Sequence, residues 1–90
     1  LDAAHRAAAP HIYATLHAAV SKSQEMTPAQ LKAWVTAEVE RNPLLKVIYY
    51  QSVDARTMQE VATWDDSPRI QGCIAVQAGD IRLIDNICIR

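Results

Sequence analysis

The segment GDIRLIDNICIR, residues 79 to 90, carries three polar side chains, Arg82, Asp85 and Asn86, among isoleucines. A guanidinium donates hydrogen bonds, a carboxylate accepts them, and an amide does both. The alternation of polar and apolar residues predicts a β-strand, whose successive side chains point to opposite faces. Arg82 and Asn86 then project from one face and Asp85 from the other, so their roles depend on what each face contacts.

The other residues with suitable chemistry are histidines and a pair of aspartates. His5, His11 and His17 are spaced by six, whereas metal-binding histidines on a helix usually sit three or four apart. This spacing favours surface or interface histidines over a metal site. Asp65 and Asp66 lie beside Ser-Pro, which favours solvated turn residues over an acid–base pair.

Composition excludes several classes of function. The chain has 90 residues, which favours one domain, and only two glycines, which argues against a dinucleotide or phosphate loop. Its net charge of −1 offers no basic stripe for nucleic acid, and no apolar run is long enough for a membrane span. We interpret Cys73 and Cys88 as reduced packing residues, which predicts a cytoplasmic protein. The residues alone predict no catalytic, cofactor-binding or metal site.

The first half has a helical pattern. PHIYATLHAAV begins at Pro10, a residue favoured in the first turn of a helix, and Asp2 is a candidate cap for a short helix before it. In TPAQLKAWVTAEVERNP, Thr27 and Gln30 form a capping box. The apolar stripe that follows is predicted to face the core: Leu31, Trp34, Val35 and Val39.

The second half has a β pattern. LKVIYYQSVD is rich in β-branched and aromatic residues, and IQGCIAVQ and IRLIDNICI flank Gly79-Asp80, which suits a type II′ hairpin turn. The fold class predicted is α+β, with the helices packed on a small, three-stranded, mainly antiparallel sheet.

The predicted turn sets a register in which Ile74 pairs with Asp85. Asp85 then falls on the apolar face that should pack on the helices, where a carboxylate needs hydrogen-bond partners or a local bulge. We favour a buried acceptor held by backbone N–H groups or an arginine. The opposite face is mixed, as expected of a sheet whose back touches something else.

Three motifs resemble a known family. YYQSVDARTM and CIAVQAGDIRLIDNICI resemble the C-terminal domain of the pantoate–β-alanine ligases (pantothenate synthetases), which typically carry VD-x-x-T-L, a glycine turn and RLIDN. The matching residues are Val53, Asp54, Thr57, Met58 (for Leu), Gly79 and Arg82 to Asn86. LDAAHRAAAPHIYATL is similar to the family's L-x-x-x-x-R-x-x-A-x-x-L/I-Y-x-x-L, at Leu1, Arg6, Ala9, Ile12, Tyr13 and Leu16.

This resemblance implies an ATP-dependent ligase of the coenzyme A pathway, which activates pantoate as pantoyl adenylate and transfers it to β-alanine. ATP and Mg would be cofactors of the full-length enzyme, a homodimer. The family's H-x-G-H and S-S-R-N signatures belong to an N-terminal, Rossmann-like catalytic domain and do not occur here. Residues 1–90 are therefore expected to form only the C-terminal lid-like domain, inactive by itself and without bound cofactor.

A lid must fold on one face and meet the catalytic domain, its partner in the same chain, on another. Arg82, Asp85 and Asn86 are thereby implied to belong to the interdomain face or to support it. The structural alternative is that Arg82 and Asp85 fix the hairpin through local contacts. The alternative to the ligase interpretation as a whole is a stand-alone α+β protein-interaction module without catalytic activity.

Overall fold

A computed structural model describes all residues from 1 to 90. Three helices, α1 (Ala3–Ala8), α2 (Pro10–Lys22) and α3 (Pro28–Val39), precede three strands, β1 (Leu45–Asp54), β2 (Ile70–Ala78) and β3 (Ile81–Cys88). A short 3₁₀ turn, Trp64–Asp66, lies in the connection between β1 and β2. The predicted α+β class is confirmed. None of the helices is long and apolar enough to cross a membrane.

The helix starts form as the sequence predicts. The Asp2 carboxylate accepts a hydrogen bond from the His5 backbone N–H at 2.8 Å and caps α1. At α3 the Thr27 hydroxyl accepts from the Gln30 N–H at 3.2 Å, and the Gln30 side chain accepts from the Thr27 N–H at 3.0 Å. This reciprocal capping box satisfies two N–H groups that the helix itself leaves unpaired.

The sheet has the strand order β1-β2-β3, and both pairings are antiparallel. Gly79 has φ +63°, whereas Asp80 is not in the positive-φ region, so the hairpin turn has the backbone expected of type II′. The predicted register is confirmed, including the pair Ile74–Asp85. On the other side of β2, β1 carries a bulge between Val47 and Tyr49.

The core lies between one face of the sheet and the helices. α3 packs on β1, and α2 packs on α3 and β3. The core side chains are almost completely buried and come from all three helices, from β1 and β2, and from the segments that flank the strands, while β3 adds only the half-buried Leu83 and Ile87. They include Ile12, Leu16, Leu31, Val35, Val39, Tyr50, Ile70, Ile74 and Val76. We call this side of the sheet the inner face.

The helices cover the inner face less completely at β3 than at the other strands. Two expectations were therefore wrong: that the whole apolar face of the hairpin packs on the helices, and that Asp85 is buried. Ile81 is 41% exposed, Leu83 and Ile87 are half-buried, and Asp85 is half-buried rather than buried. The physical reason is that the helices cover β3 less fully than they cover β1 and β2. The bulge considered for Asp85 is also absent, since β2 and β3 pair without a register shift.

Two further interpretations need correction. Cys73 and Cys88 are both free, but Cys88 is exposed, so it is not a packing residue. Trp34 is half-buried at the margin of the core, where the Lys22 ammonium lies 5.5 Å from its ring centroid. The apolar stripe of α3 is therefore buried at Leu31, Val35 and Val39 and only partly so at Trp34.

Candidate functional site

The face of the sheet turned away from the helices holds two of the three candidate residues. Arg82 pairs with Gln77 and Asn86 with Cys73, so both arginine and asparagine project from this side, and both are exposed. Between them Ile84 is 66% exposed. We call this side the outer face: Lys46, Tyr49, Gln51, Val53, Gln71, Cys73, Ala75, Gln77, Arg82, Ile84, Asn86 and Cys88. It is polar with apolar residues interspersed, as its sequence pattern predicted.

Asp85 lies apart from Arg82 and Asn86, on the inner side of β3. Its Oδ1 accepts a hydrogen bond from the backbone N–H of Asn86 at 2.8 Å. Exposed backbone N–H groups on an edge strand can form hydrogen bonds with a strand of another chain. A side chain that already accepts a hydrogen bond from such an N–H group makes this pairing less favourable. The structure therefore brings Arg82 and Asn86 onto one surface and gives Asp85 a local contact within β3.

The three histidines are separated. His5 contacts Asp2 at 2.8 Å, and the ring nitrogen Nε2 of His11 lies 2.7 Å from the carbonyl oxygen of Glu38. The ring of His17 lies 6.2 Å from that of Tyr13. No group of three or more His, Cys, Asp or Glu side chains is placed to hold a metal ion.

The two aspartates of the 3₁₀ turn are exposed, as expected of turn residues. Asp66 Oδ2 accepts from the N–H groups of Ala62 and Thr63 at 2.9 and 3.0 Å, and Oδ1 accepts from the Thr63 hydroxyl at 2.9 Å. The backbone N–H of Thr63 is the main cause that lowers the pKa of Asp66. The carboxylate holds the turn together, and no second carboxylate is paired with it.

The largest cleft lies at one end of the sheet and was not predicted from the sequence. It measures about 890 Å³ and is lined by Asp54, Ala55, Arg56, Ser67, Pro68, Arg69 and Arg90. Because neighbouring strands are antiparallel, the end of β1, the start of β2 and the end of β3 meet there. Each contributes an arginine within two residues of the strand. We call this the strand-end cleft.

Backbone hydrogen bonds join the segments around the strand-end cleft. The Ala55 N–H donates to the Arg69 carbonyl at 2.9 Å, and the Arg90 N–H donates to the Ile70 carbonyl at 3.3 Å. The Arg90 guanidinium donates to the Ser23 hydroxyl at 2.8 Å and lies 4.7 Å from the Trp64 ring centroid. Trp64 is half-buried and packs against the core.

Asp54 anchors the turn that carries Arg56. The Ser67 hydroxyl, followed by the backbone N–H groups of Thr57 and Arg56, lowers the pKa of Asp54 to about 2. The serine hydroxyl has one hydrogen, and in the structure it donates to the Arg69 carbonyl at 2.8 Å. The lasting stabilisation of the carboxylate therefore comes from the two N–H groups, at 2.8 and 2.9 Å.

Comparison with known proteins defines the class. The fold matches a crystal structure of pantothenate synthetase from Thermus thermophilus with a TM-score of 0.85 and 23% identity, over 99% of this chain and 32% of that one. The family model described as pantoate-beta-alanine ligase matches residues 1–88. The chain belongs to the pantoate–β-alanine ligase family.

Curated relatives agree with this assignment. Pantothenate synthetases from Porphyromonas gingivalis and Bacteroides thetaiotaomicron are each 37% identical to this chain over 87 residues. Each alignment covers 97% of this chain and 31% of the relative. The chain thus spans about a third of the length of the relatives that it matches.

The motifs that carry the resemblance now have positions. Asp54 is the last residue of β1, and Thr57 lies in the turn that follows it. Met58, directly after this turn, has φ +62°. Such a backbone is uncommon for a residue other than glycine. The motif from Arg82 to Asn86 lies within β3, with its residues alternating between the two faces.

Proposed function

We propose that this chain is the C-terminal, lid-like domain of a ligase that joins pantoate and β-alanine through a pantoyl adenylate, with ATP converted to AMP and diphosphate. The observation that carries the proposal is the family match over residues 1–88. The relatives are about three times longer, so the chain corresponds to one part of such an enzyme.

The outer face is the surface that we assign to the catalytic domain. The helices cover the inner face, while Arg82, Ile84 and Asn86 stay exposed on the outer one. The mixture of apolar and polar side chains suits an interface that closes and reopens, since interdomain interfaces are more polar than permanent ones. Closure would exclude water from the acyl adenylate, which water would otherwise hydrolyse.

The residues of this chain do not fit a complete site for ATP and Mg²⁺. No cluster of carboxylates is placed to hold a metal ion, and neither the H-x-G-H nor the S-S-R-N signature occurs. We therefore assign nucleotide activation to the other part of the longer enzyme and expect the 90-residue chain alone to be inactive. We further propose a cytoplasmic homodimer that supplies the coenzyme A pathway.

The test compares the 90-residue chain with the longer protein encoded in the same reading frame. We expect the longer protein to form pantothenate and AMP only when pantoate, β-alanine and ATP are all present. The 90-residue chain should form neither product. A folded longer protein without this activity, or pantoate-dependent ATP turnover by the 90-residue chain, would contradict the proposal.

A further inference from the structure

The strand-end cleft gathers positive charge that the chain as a whole does not have. The net charge of the chain is −1, yet the cleft is lined by Arg56, Arg69 and Arg90 against a single carboxylate, Asp54. The three arginines are far apart in the sequence and meet only because three strand ends adjoin.

Two of these guanidinium groups have no partner within the protein. Arg56 and Arg69 are exposed, and neither guanidinium takes part in any hydrogen bond or ion pair of the structure, whose ion pairs involve His5, Lys32 and Arg41. The Asp54 carboxylate lines the same cleft but forms no ion pair with either guanidinium. The positive charge of Arg56 and Arg69 therefore remains available to a ligand.

The backbone that carries these arginines is already fixed. The Ser67 hydroxyl donates to the Arg69 carbonyl and accepts from the Arg69 N–H at 3.2 Å, and the Met58 N–H donates to the Asp54 carbonyl at 2.8 Å. Binding of a ligand here costs little conformational entropy, because the loops are already ordered, and this favours affinity. Arg90, held by Ser23 and Trp64, adds a charge at the cleft wall.

We propose that the strand-end cleft binds a phosphate or diphosphate group through Arg56 and Arg69. Guanidinium groups form paired, charge-assisted hydrogen bonds with phosphate oxygens. A tetrahedral phosphate offers oxygens to guanidinium groups that approach from different strand ends, whereas one planar carboxylate fits a single fork. The cleft lies at the end of the sheet, so this inference does not depend on the lid role of the outer face.

The test is a titration of the ¹⁵N-labelled chain with inorganic phosphate and with diphosphate, followed by NMR at constant ionic strength. We expect saturable shifts of the backbone N–H signals of residues 55–57 and 69, with diphosphate the tighter ligand. Arg56→Gln and Arg69→Gln should each raise the Kd about tenfold or more, as expected for the loss of a charge-assisted hydrogen bond. Arg6→Gln, which removes an exposed arginine of α1, is the matched control and should leave the Kd unchanged.

Further ligands distinguish the sources of the phosphate group. A nucleoside triphosphate that binds more tightly than diphosphate, with shifts beyond the cleft, would assign the cleft to a nucleotide; equal affinity would assign it to the free anion. Both results support the proposal. It would be overturned by shifts that do not saturate, by equal losses in Arg6→Gln, or by binding of a glutamate-rich peptide but not of diphosphate.

Discussion

At the scale of single residues, Asp54 links a family motif to a measurable effect of pH. Hydrogen bonds from the backbone N–H groups of Thr57 and Arg56 lower the pKa of its carboxyl in the folded chain below the value of about 4 in an unfolded one. The folded state therefore binds this proton more weakly than the unfolded state. The carboxylate stabilises the fold above pH 4, and this stabilisation is lost as the pH falls below 4 through the lowered pKa of the folded state.

We predict that Asp54→Asn lowers the free energy of unfolding at pH 7 and that the difference from the parent chain shrinks as the pH falls through this range. Urea denaturation of both chains at several pH values measures this difference in unfolding free energy. Asp65→Asn, at an exposed carboxylate in the 3₁₀ turn, serves as the control. A difference between parent and Asp54→Asn that does not change with pH would show that the charge of Asp54 is not what stabilises the turn.

A second prediction at this scale concerns Asp85. Because the carboxylate is half-buried and accepts from one N–H on an edge strand, water can replace it when it is removed. We expect Asp85→Ala to cost about 1 kcal/mol or less in unfolding free energy, at the lower end of values for a lost hydrogen bond. Thermal denaturation measures this, and a loss of several kcal/mol would restore the buried role expected from the sequence.

At the scale of elements, the hairpin and the core depend on close approach at Gly72. A Cβ atom there would lie 2.8 Å from the Tyr50 hydroxyl oxygen. Tyr50 is only 2% exposed, and its hydroxyl is hydrogen-bonded to the Ser52 hydroxyl. The tyrosine ring has little room to move away. Gly72 in β2 is therefore a packing requirement rather than a turn residue.

We predict that Gly72→Ala destabilises the chain by roughly 1–3 kcal/mol, the usual cost of overpacking a core. Gln71→Ala, the neighbouring change towards the outer face, should cost much less. Urea denaturation of both variants tests this. A Gly72→Ala variant as stable as the parent would mean that Tyr50 and Ser52 can rearrange freely.

Local patterns predicted much of this level of structure. The capping box at Thr27, the hairpin turn at Gly79 and the Ile74–Asp85 register depend on residues close in sequence or on a single turn. The half-burial of Asp85 was not predictable in that way, because it depends on how far the helices extend over β3. The strand-end cleft was missed because Arg56, Arg69 and Arg90 become neighbours only through the strand order.

At the scale of the whole molecule, the asymmetry of the sheet is the feature that bears most on function. Helices cover the inner face, while the outer face keeps Arg82, Ile84 and Asn86 exposed. A domain of this shape can fold by its inner face and present the other face to a partner. The proposed partner is the catalytic domain of the longer ligase.

The most direct test of the lid role is the ratio of AMP to pantothenate formed by the longer protein and by its Ile84→Asp variant. A carboxylate in the middle of the outer face should hinder closure, so that water hydrolyses pantoyl adenylate before β-alanine attacks it. Leu44→Asp, at an exposed leucine just before β1, is the control for surface charge. We predict equal amounts of AMP and pantothenate from the parent and the control and an excess of AMP from Ile84→Asp. Equal amounts of both products from a folded Ile84→Asp protein, at the parent rate, would contradict the lid role of the outer face.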